Sequence, residues 1–164
     1  MQVLGIDPGY AIVGYGVVKY DRNKLVPVEY GAVTTKAKTE FTSRLNIIYE
    51  GICDILNRYK PDALSIEKLF FNTNTTTAID VAQARGVILL AAKKNNVPVF
   101  EYTPLQVKQA VTGYGKATKA QVMDLTKRLL ALEKVPKPDD TADALAIAIC
   151  HCHSSSSLIF RQGR

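Results

Sequence analysis

The chain predicts an α/β fold, a mixed five-stranded sheet flanked by helices. Three observations carry this. The chain opens on three strand-like runs joined by tight turns. Two later apolar runs each follow a stretch of helical period. Beyond them come helical patterns alone, the last of them strongly apolar. No internal repeat and no domain boundary interrupts this order.

The first run is Val3-Leu4-Gly5-Ile6, ended by Asp7 and by the Pro8-Gly9 turn. A short continuous apolar run of this kind suits a strand buried on both faces. A carboxylate directly after it cannot lie deep without a partner, so Asp7 is expected at a strand end, facing a rim. Capping the turn is the simpler role open to it. Ile12 to Tyr20 reads as the second strand, rich in β-branched and aromatic residues, with Gly14 and Gly16 marking a bulge or a close backbone approach. After the Asp21-Arg22-Asn23 turn, Leu25 to Thr34 reads as the third, with Val26, Val28, Tyr30 and Ala32 at period two. Pro27 cannot donate to a ladder and predicts an edge.

Leu45, Ile48, Ile52 and Leu56 recur at helical spacing behind Thr42 or Ser43 as cap, and Pro61-Asp62 ends that helix. Ala63 to Ile66 is then a short buried strand, parallel to the first because a helix intervenes, and it too ends in acid, Glu67. Residues 70–77 read as a loop. A long helix from Thr76 or Thr77 to about Asn95 carries Ala78, Ala82 and Gly86 on one face. Such a stripe serves packing within the domain or contact with a second subunit. Val97 to Tyr102 is the fifth strand. Pro104 to Thr112 and Thr118 to Leu132 are helices, the latter with Val122, Leu125, Leu129 and Leu132 inward. The last helix runs from about Asp139 to His151, and residues 154–164 read as a flexible tail after a single domain over 1–153.

At 164 residues the chain is long enough for one real core. No leader pattern and no membrane-length apolar run is evident, so a soluble, cytoplasmic domain is expected. Three cysteines do not make a disulfide framework. Cys150-His151-Cys152-His153 are contiguous at a helix end, whereas zinc ligands are spaced by two or more residues. Core cysteines, with His near a helix C-terminus, are the simpler reading. The net charge of +6 suits a polyanionic partner such as nucleic acid.

Acid is the recurrent theme. Asp7 and Glu67 end strands expected to be neighbours, and Asp140 and Asp143 share a face of the last helix. Asp140 near the helix start also has a dipole-stabilising role open to it. Asp143 is flanked by Ala142, Ala144, Leu145 and Ala146 and needs a reason to point inward. Four carboxylates brought together repel unless cations neutralise them. Oxygen donors suit Mg²⁺ or Mn²⁺, and two such ions about 4 Å apart can drive phosphodiester hydrolysis.

Taken together, Gly5-Ile6-Asp7-Pro8-Gly9, Ile66-Glu67, Gln83-Ala84-Arg85-Gly86 and Asp140-Thr141-Ala142-Asp143-Ala144-Leu145-Ala146 resemble the RuvC family of Holliday-junction resolvases. The resemblance covers essentially the whole chain in order and spacing. It implies a ribonuclease-H-like fold and a homodimer. The implied activity is a Mg²⁺-dependent endonuclease with two ions per site, Mn²⁺ substituting. It would nick opposing strands of a four-way DNA junction, leaving 5′-phosphates, in recombination and repair beside the RuvA and RuvB branch-migration proteins. By the same resemblance Asp7, Glu67, Asp140 and Asp143 are the catalytic metal-binding carboxylates, and Phe70, Lys108 and Lys119 contact DNA. The family also uses His at the third acid position, where this chain has Asp140. Asp139 has no role assigned by the resemblance. Read alone, Lys108 and Lys119 are ordinary helix-surface lysines, and Phe70-Phe71 an ordinary core pair.

Three rivals remain on sequence grounds. A sugar-kinase-type phosphotransferase shares the Asp-x-Gly turn but needs a second domain. A junction-binding module would use its acids structurally. A related nuclease would act on RNA or hybrids.

Overall fold

The computed structural model describes residues 1–68 and 77–162, with side chains as far as residue 155. In chain order the elements are β1 (Gln2–Asp7), β2 (Ile12–Asp21), β3 (Lys24–Thr34), α1 (Phe41–Tyr59), β4 (Ala63–Glu67), α2 (Ala78–Lys94), β5 (Val99–Tyr102), α3 (Pro104–Thr112), α4 (Lys119–Leu129) and α5 (Asp139–Gln162). They form one sheet in the order β3-β2-β1-β4-β5. β1 to β3 are antiparallel neighbours, and β1, β4 and β5 are parallel. This is the mixed sheet expected, with the first strand central and the Pro27 strand at the edge. The β2–β3 ladder shifts register between Val17 and Val18, opposite Pro27, which cannot supply a ladder donor.

Two cores follow from the period-two alternation of the strands. Leu4, Ile6, Val13, Val17, Leu64 and Ile66 face α1 and α2 on one side. Val3 and Val18 face α5 on the other, where α3 and α4 close the cluster through Val107, Val111 and Val122. Ile48, Ile52 and Leu56 are the inward stripe of α1, as their spacing predicts.

The seat of α5 explains the glycines. Gly5 and Gly16 are direct partners across β1 and β2, and Gly14 lies opposite Asp7. A methyl added at Gly5 would lie 2.7 Å from the Ala148 amide nitrogen and nearer still to the Ala144 carbonyl. One at Gly14 would strike the Asp140 carbonyl, and one at Gly16 would lie 2.6 Å from Leu145 Cδ2. Ser65, next to Gly5 on β4, donates its hydroxyl to the Ile147 carbonyl at 3.2 Å. Small residues on three strands thus cut a trough, and α5 lies in it with its backbone almost against the sheet.

Several boundaries differ from the sequence reading. α1 begins at Phe41 behind Glu40, with no side-chain cap from Thr42 or Ser43. α2 begins at Ala78 with Thr77 as N-cap. β5 starts only at Val99, after Pro98. α4 ends at Leu129, which is exposed, and Leu130 is buried in its place. The helix stops a turn earlier than its apolar period suggests. α3 and α4 each open on a capping box, Thr103 with Gln106 and Thr118 with Gln121. α5 continues through the segment expected to be a tail, as far as Gln162. No Gly or Pro interrupts it before Gly163, and Ser155 Oγ donates back to the Cys152 carbonyl at 3.0 Å. Serine costs a helix only tenths of a kcal/mol, roughly, so four in a row do not end one. No helix among the described residues is long and apolar enough to cross a membrane.

Candidate active site

The parallel register that pairs Ile6 with Ile66 leaves Asp7 and Glu67 at adjacent strand ends, both on the α5 face. α5 enters the trough over Gly14, the partner of Asp7, and so carries its first two turns across the same place. A cavity of about 230 Å³ opens there. Asp7, Glu67, Asp143, Lys108 and Lys119 line it, against an apolar wall of Pro104, Val107, Val122, Ala146 and Ile147. Three of the four expected acids and both expected lysines therefore meet in one cleft. Phe70 lies outside the described residues.

The charges inside the cleft are strained. Burial pushes Asp7 from its ordinary value of 3.8 up to about 8, with Asp143, Glu67 and Asp140 adding to the shift. Glu67 is raised as well, first by burial and then by Asp143. Lys119 relieves part of this. Its Nζ stands 2.8 Å from Asp143 Oδ2 and 3.9 Å from Asp139 Oδ2. Asp140 does not line the cavity, but its charge reaches Asp7. Asp139 Oδ1 also accepts from Lys137 Nζ at 2.6 Å, and that lysine lowers its pKa, with Lys119 adding to the shift. Asp140 acts on Asp7 directly, and Asp139 reaches the site through Lys119.

The donor set is carboxylate oxygen alone, which fits a hard divalent cation and not zinc. A cation would also offset the burial and the neighbouring acids that together keep Asp7 protonated. Among the described residues no three Asp, Glu, His or Cys side chains close on a single ion position in this structure. Lys119 supplies the positive charge between them.

A pH dependence follows. Between 3.8 and about 8 folded Asp7 keeps a proton that the unfolded chain releases. Stability of the metal-free protein therefore falls as pH rises through that interval. Thermal melts in chelator from pH 5 to 8 should show the midpoint dropping relative to Asp7→Asn, and Mg²⁺ should restore most at the alkaline end. Parallel profiles for the two proteins would contradict the assignment.

The Cys-His run lies elsewhere in the fold. Cys150 and Cys152 are core residues, with thiols pushed by burial up to about 11 and about 12. His151 Nδ1 pairs with the Tyr102 hydroxyl at 2.7 Å, and His153 Nδ1 with the Ala110 carbonyl at 2.9 Å. The sequence reading missed the apolar wall. Val107 and Val122 carry a helical period that marks burial, and nothing in that period says the burial borders a cleft.

Comparison with known proteins agrees with this geometry. The pattern of the family described as Crossover junction endodeoxyribonuclease RuvC matches residues 3–151. A Brevibacillus brevis protein named Crossover junction endodeoxyribonuclease RuvC is 59% identical over 88% of this chain and 87% of its own. The Thermus thermophilus RuvC structure superposes with a TM-score of 0.89 at 36% identity, covering 96% of each chain. The same protein in complex with Holliday junction substrate gives 0.88 at 34% identity, again over 96% of each. The sheet order and the helices on both faces are those of the ribonuclease-H-like fold, and the chain belongs to the RuvC family of crossover junction endodeoxyribonucleases.

Proposed function

We infer that this protein resolves four-way DNA junctions by hydrolysing one phosphodiester on each of two opposing strands. The observation that carries the reading is the cleft itself. Acids from β1, β4 and α5 meet lysines from α3 and α4 beside an apolar wall. Asp143, Glu67 and Asp140 all resist the ionisation of Asp7, which a bound cation would favour.

Asp7, Glu67, Asp140 and Asp143 are the residues that would hold the metal, two Mg²⁺ ions in our reading. When bound, the ions supply charge neutralisation at the phosphate and activation of water. The protein does the rest. Asp7, raised by burial to about 8, would have to be ionised to serve as a ligand, and burial raises Glu67 in the same direction. Lys108 and Lys119, which line the same cleft, would hold the DNA backbone without reading sequence. The apolar wall keeps bulk water from the reacting phosphate. Water attacks in line, the bond to the 3′ oxygen breaks, and a 5′-phosphate and a 3′-hydroxyl remain. Phe70 is proposed to pack against bases at the crossover, and RuvA and RuvB to deliver the junction in a cytoplasmic repair pathway.

Paired cuts need two sites, and α2 offers the contact. Its buried face is Ala84, Ile88, Ala91 and Ala92. The small-residue stripe lies off that face, and a Cβ at Gly86 would meet nothing within 4 Å. Ile79 is 69% exposed and Leu90 50%. An apolar, glycine-notched helix face open to solvent suits a second copy related by a two-fold axis, matching the two-fold junction.

A plasmid-borne cruciform tests this reading. Coordinated cuts yield linear DNA, whereas independent single cuts yield nicked circles. Wild-type protein with Mg²⁺ is expected to give linear product. Ile79→Arg together with Leu90→Arg should shift the protein from dimer to monomer by light scattering and the product to nicked circles. Linear product from a monomeric variant would contradict the paired-site account.

A further inference from the structure

The Gln83-Ala84-Arg85-Gly86 motif marks the resemblance, yet none of its side chains lines the cavity. Arg85 nevertheless reaches the site from behind. It projects from α2, on the sheet face opposite α5, and its side chain is only 15% exposed. One terminal guanidinium nitrogen pairs with Glu101 Oε1 on β5. Its Nε donates to the main-chain carbonyl of Glu67, at 3.5 Å.

The strand alternation makes this contact informative. Ser65 and Glu67 face α5, so the Glu67 carboxylate stands on one side of the sheet and the guanidinium on the other. β4 has five residues, and Glu67 is its last. On the β5 side the following amide, Lys68, donates to the Tyr102 carbonyl at 2.8 Å. Arg85 holds the same strand end from α2. Glu101 is 40% exposed, so the ion pair alone contributes little to global stability. Its geometric effect is larger. The planar fork joins α2 to the ends of β4 and β5 at the residue before the chain leaves the sheet.

We propose that Arg85 is a positioning residue for the acid cluster, fixing from the back of the sheet where the Glu67 carboxylate stands. This rests on the metal-dependent nuclease reading. The motif then has a physical role: Ala84 packs inward, and Arg85 anchors the strand end that carries the acid.

The test uses the full chain without DNA, titrated with Mn²⁺ and followed by electron paramagnetic resonance. Single-turnover junction nicking against Mg²⁺ concentration and junction affinity in chelator are measured alongside. Arg85→Ala should weaken Mn²⁺ binding and raise the Mg²⁺ requirement about tenfold, the scale of lost outer-shell support. Junction affinity without metal should be unchanged. Arg85→Lys keeps a charge for Glu101 but lacks the fork, so only part of the loss should be recovered. Glu101→Gln, which frees the guanidinium to wander, should weaken Mn²⁺ binding by a smaller factor. It and Arg85→Lys decide the matter should Arg85→Ala fail to fold. Wild-type Mn²⁺ affinity and Mg²⁺ dependence in the folded variants would overturn the proposal, as would an equal loss of metal-free junction binding. Asp7→Asn serves as control: wild-type Mn²⁺ affinity in that protein would overturn the metal-site reading itself.

Discussion

Replacing Asp7 with Asn is expected to lower junction cleavage by on the order of a thousandfold, while leaving junction binding intact and stabilising the metal-free fold. Asn has the size and shape of Asp but no charge to offer a cation. Loss of one ligand costs several kcal/mol of stabilisation at the reacting phosphate, and each 1.36 kcal/mol is about a factor of ten in rate. The stability change has the opposite sign. Asp7 is buried beside Asp143, Glu67 and Asp140, all of which resist its ionisation. Removing its charge ends that repulsion, so the melting midpoint at pH 8 in chelator should rise. Single-turnover nicking, junction binding in chelator and thermal melts read the three quantities separately. Near wild-type cleavage, or a lowered midpoint at pH 8, would contradict the role given to this residue.

Gly5→Val should be the most damaging substitution in the core. Even one added carbon at Gly5 meets backbone, the Ala144 carbonyl and the Ala148 amide of α5, which no rotamer change can move aside. Overpacking costs about 1–3 kcal/mol where side chains can yield, and more here because the helix itself must lift. At this chain length about 3 kcal/mol lowers the melting midpoint by roughly 6–12 °C. Gly5→Ala should already show a loss of that order. Valine is expected to leave little folded protein at 37 °C. In whatever fraction folds, activity should fall further than stability explains, because lifting α5 carries Asp140 and Asp143 away from Asp7. A Gly5→Ala protein with wild-type midpoint and activity would mean that α5 does not lie on the strand as described.

Much of this architecture was legible before any coordinates. Acid at the ends of two apolar runs, and again within an apolar helix, placed Asp7, Glu67 and Asp143 together, and the structure brings those three into one cleft. Pro27 marked the edge strand and Gly14 and Gly16 a close approach, because each has a backbone consequence independent of its surroundings. The trough itself was not legible. That Gly5, Gly14, Gly16 and Ser65 form one groove depends on strand register, which pairs residues far apart in the chain. The end of α5 was misjudged because four serines resemble a linker in composition, although none of them forbids a helix. Spacing alone does not exclude Asp139 as a ligand, although the family's spacing favours Asp140. In the fold Asp139 stands between Lys137 and the cleft lysine Lys119, contacts that exist only in three dimensions. Arg85 stood in a recognisable motif, but its purpose lies in a contact through the sheet.

The acid cleft is expected to cut junction DNA only with divalent metal. This is tested most directly by nicking of a mobile synthetic four-way junction, with Mg²⁺ and with chelator, beside a linear duplex and an RNA–DNA hybrid of the same sequence. Symmetric cuts are expected on the junction alone, only with Mg²⁺, and none with Asp7→Asn. Cutting of the hybrid or duplex at a comparable rate, or tight junction binding with no Mg²⁺-dependent cut, would contradict this.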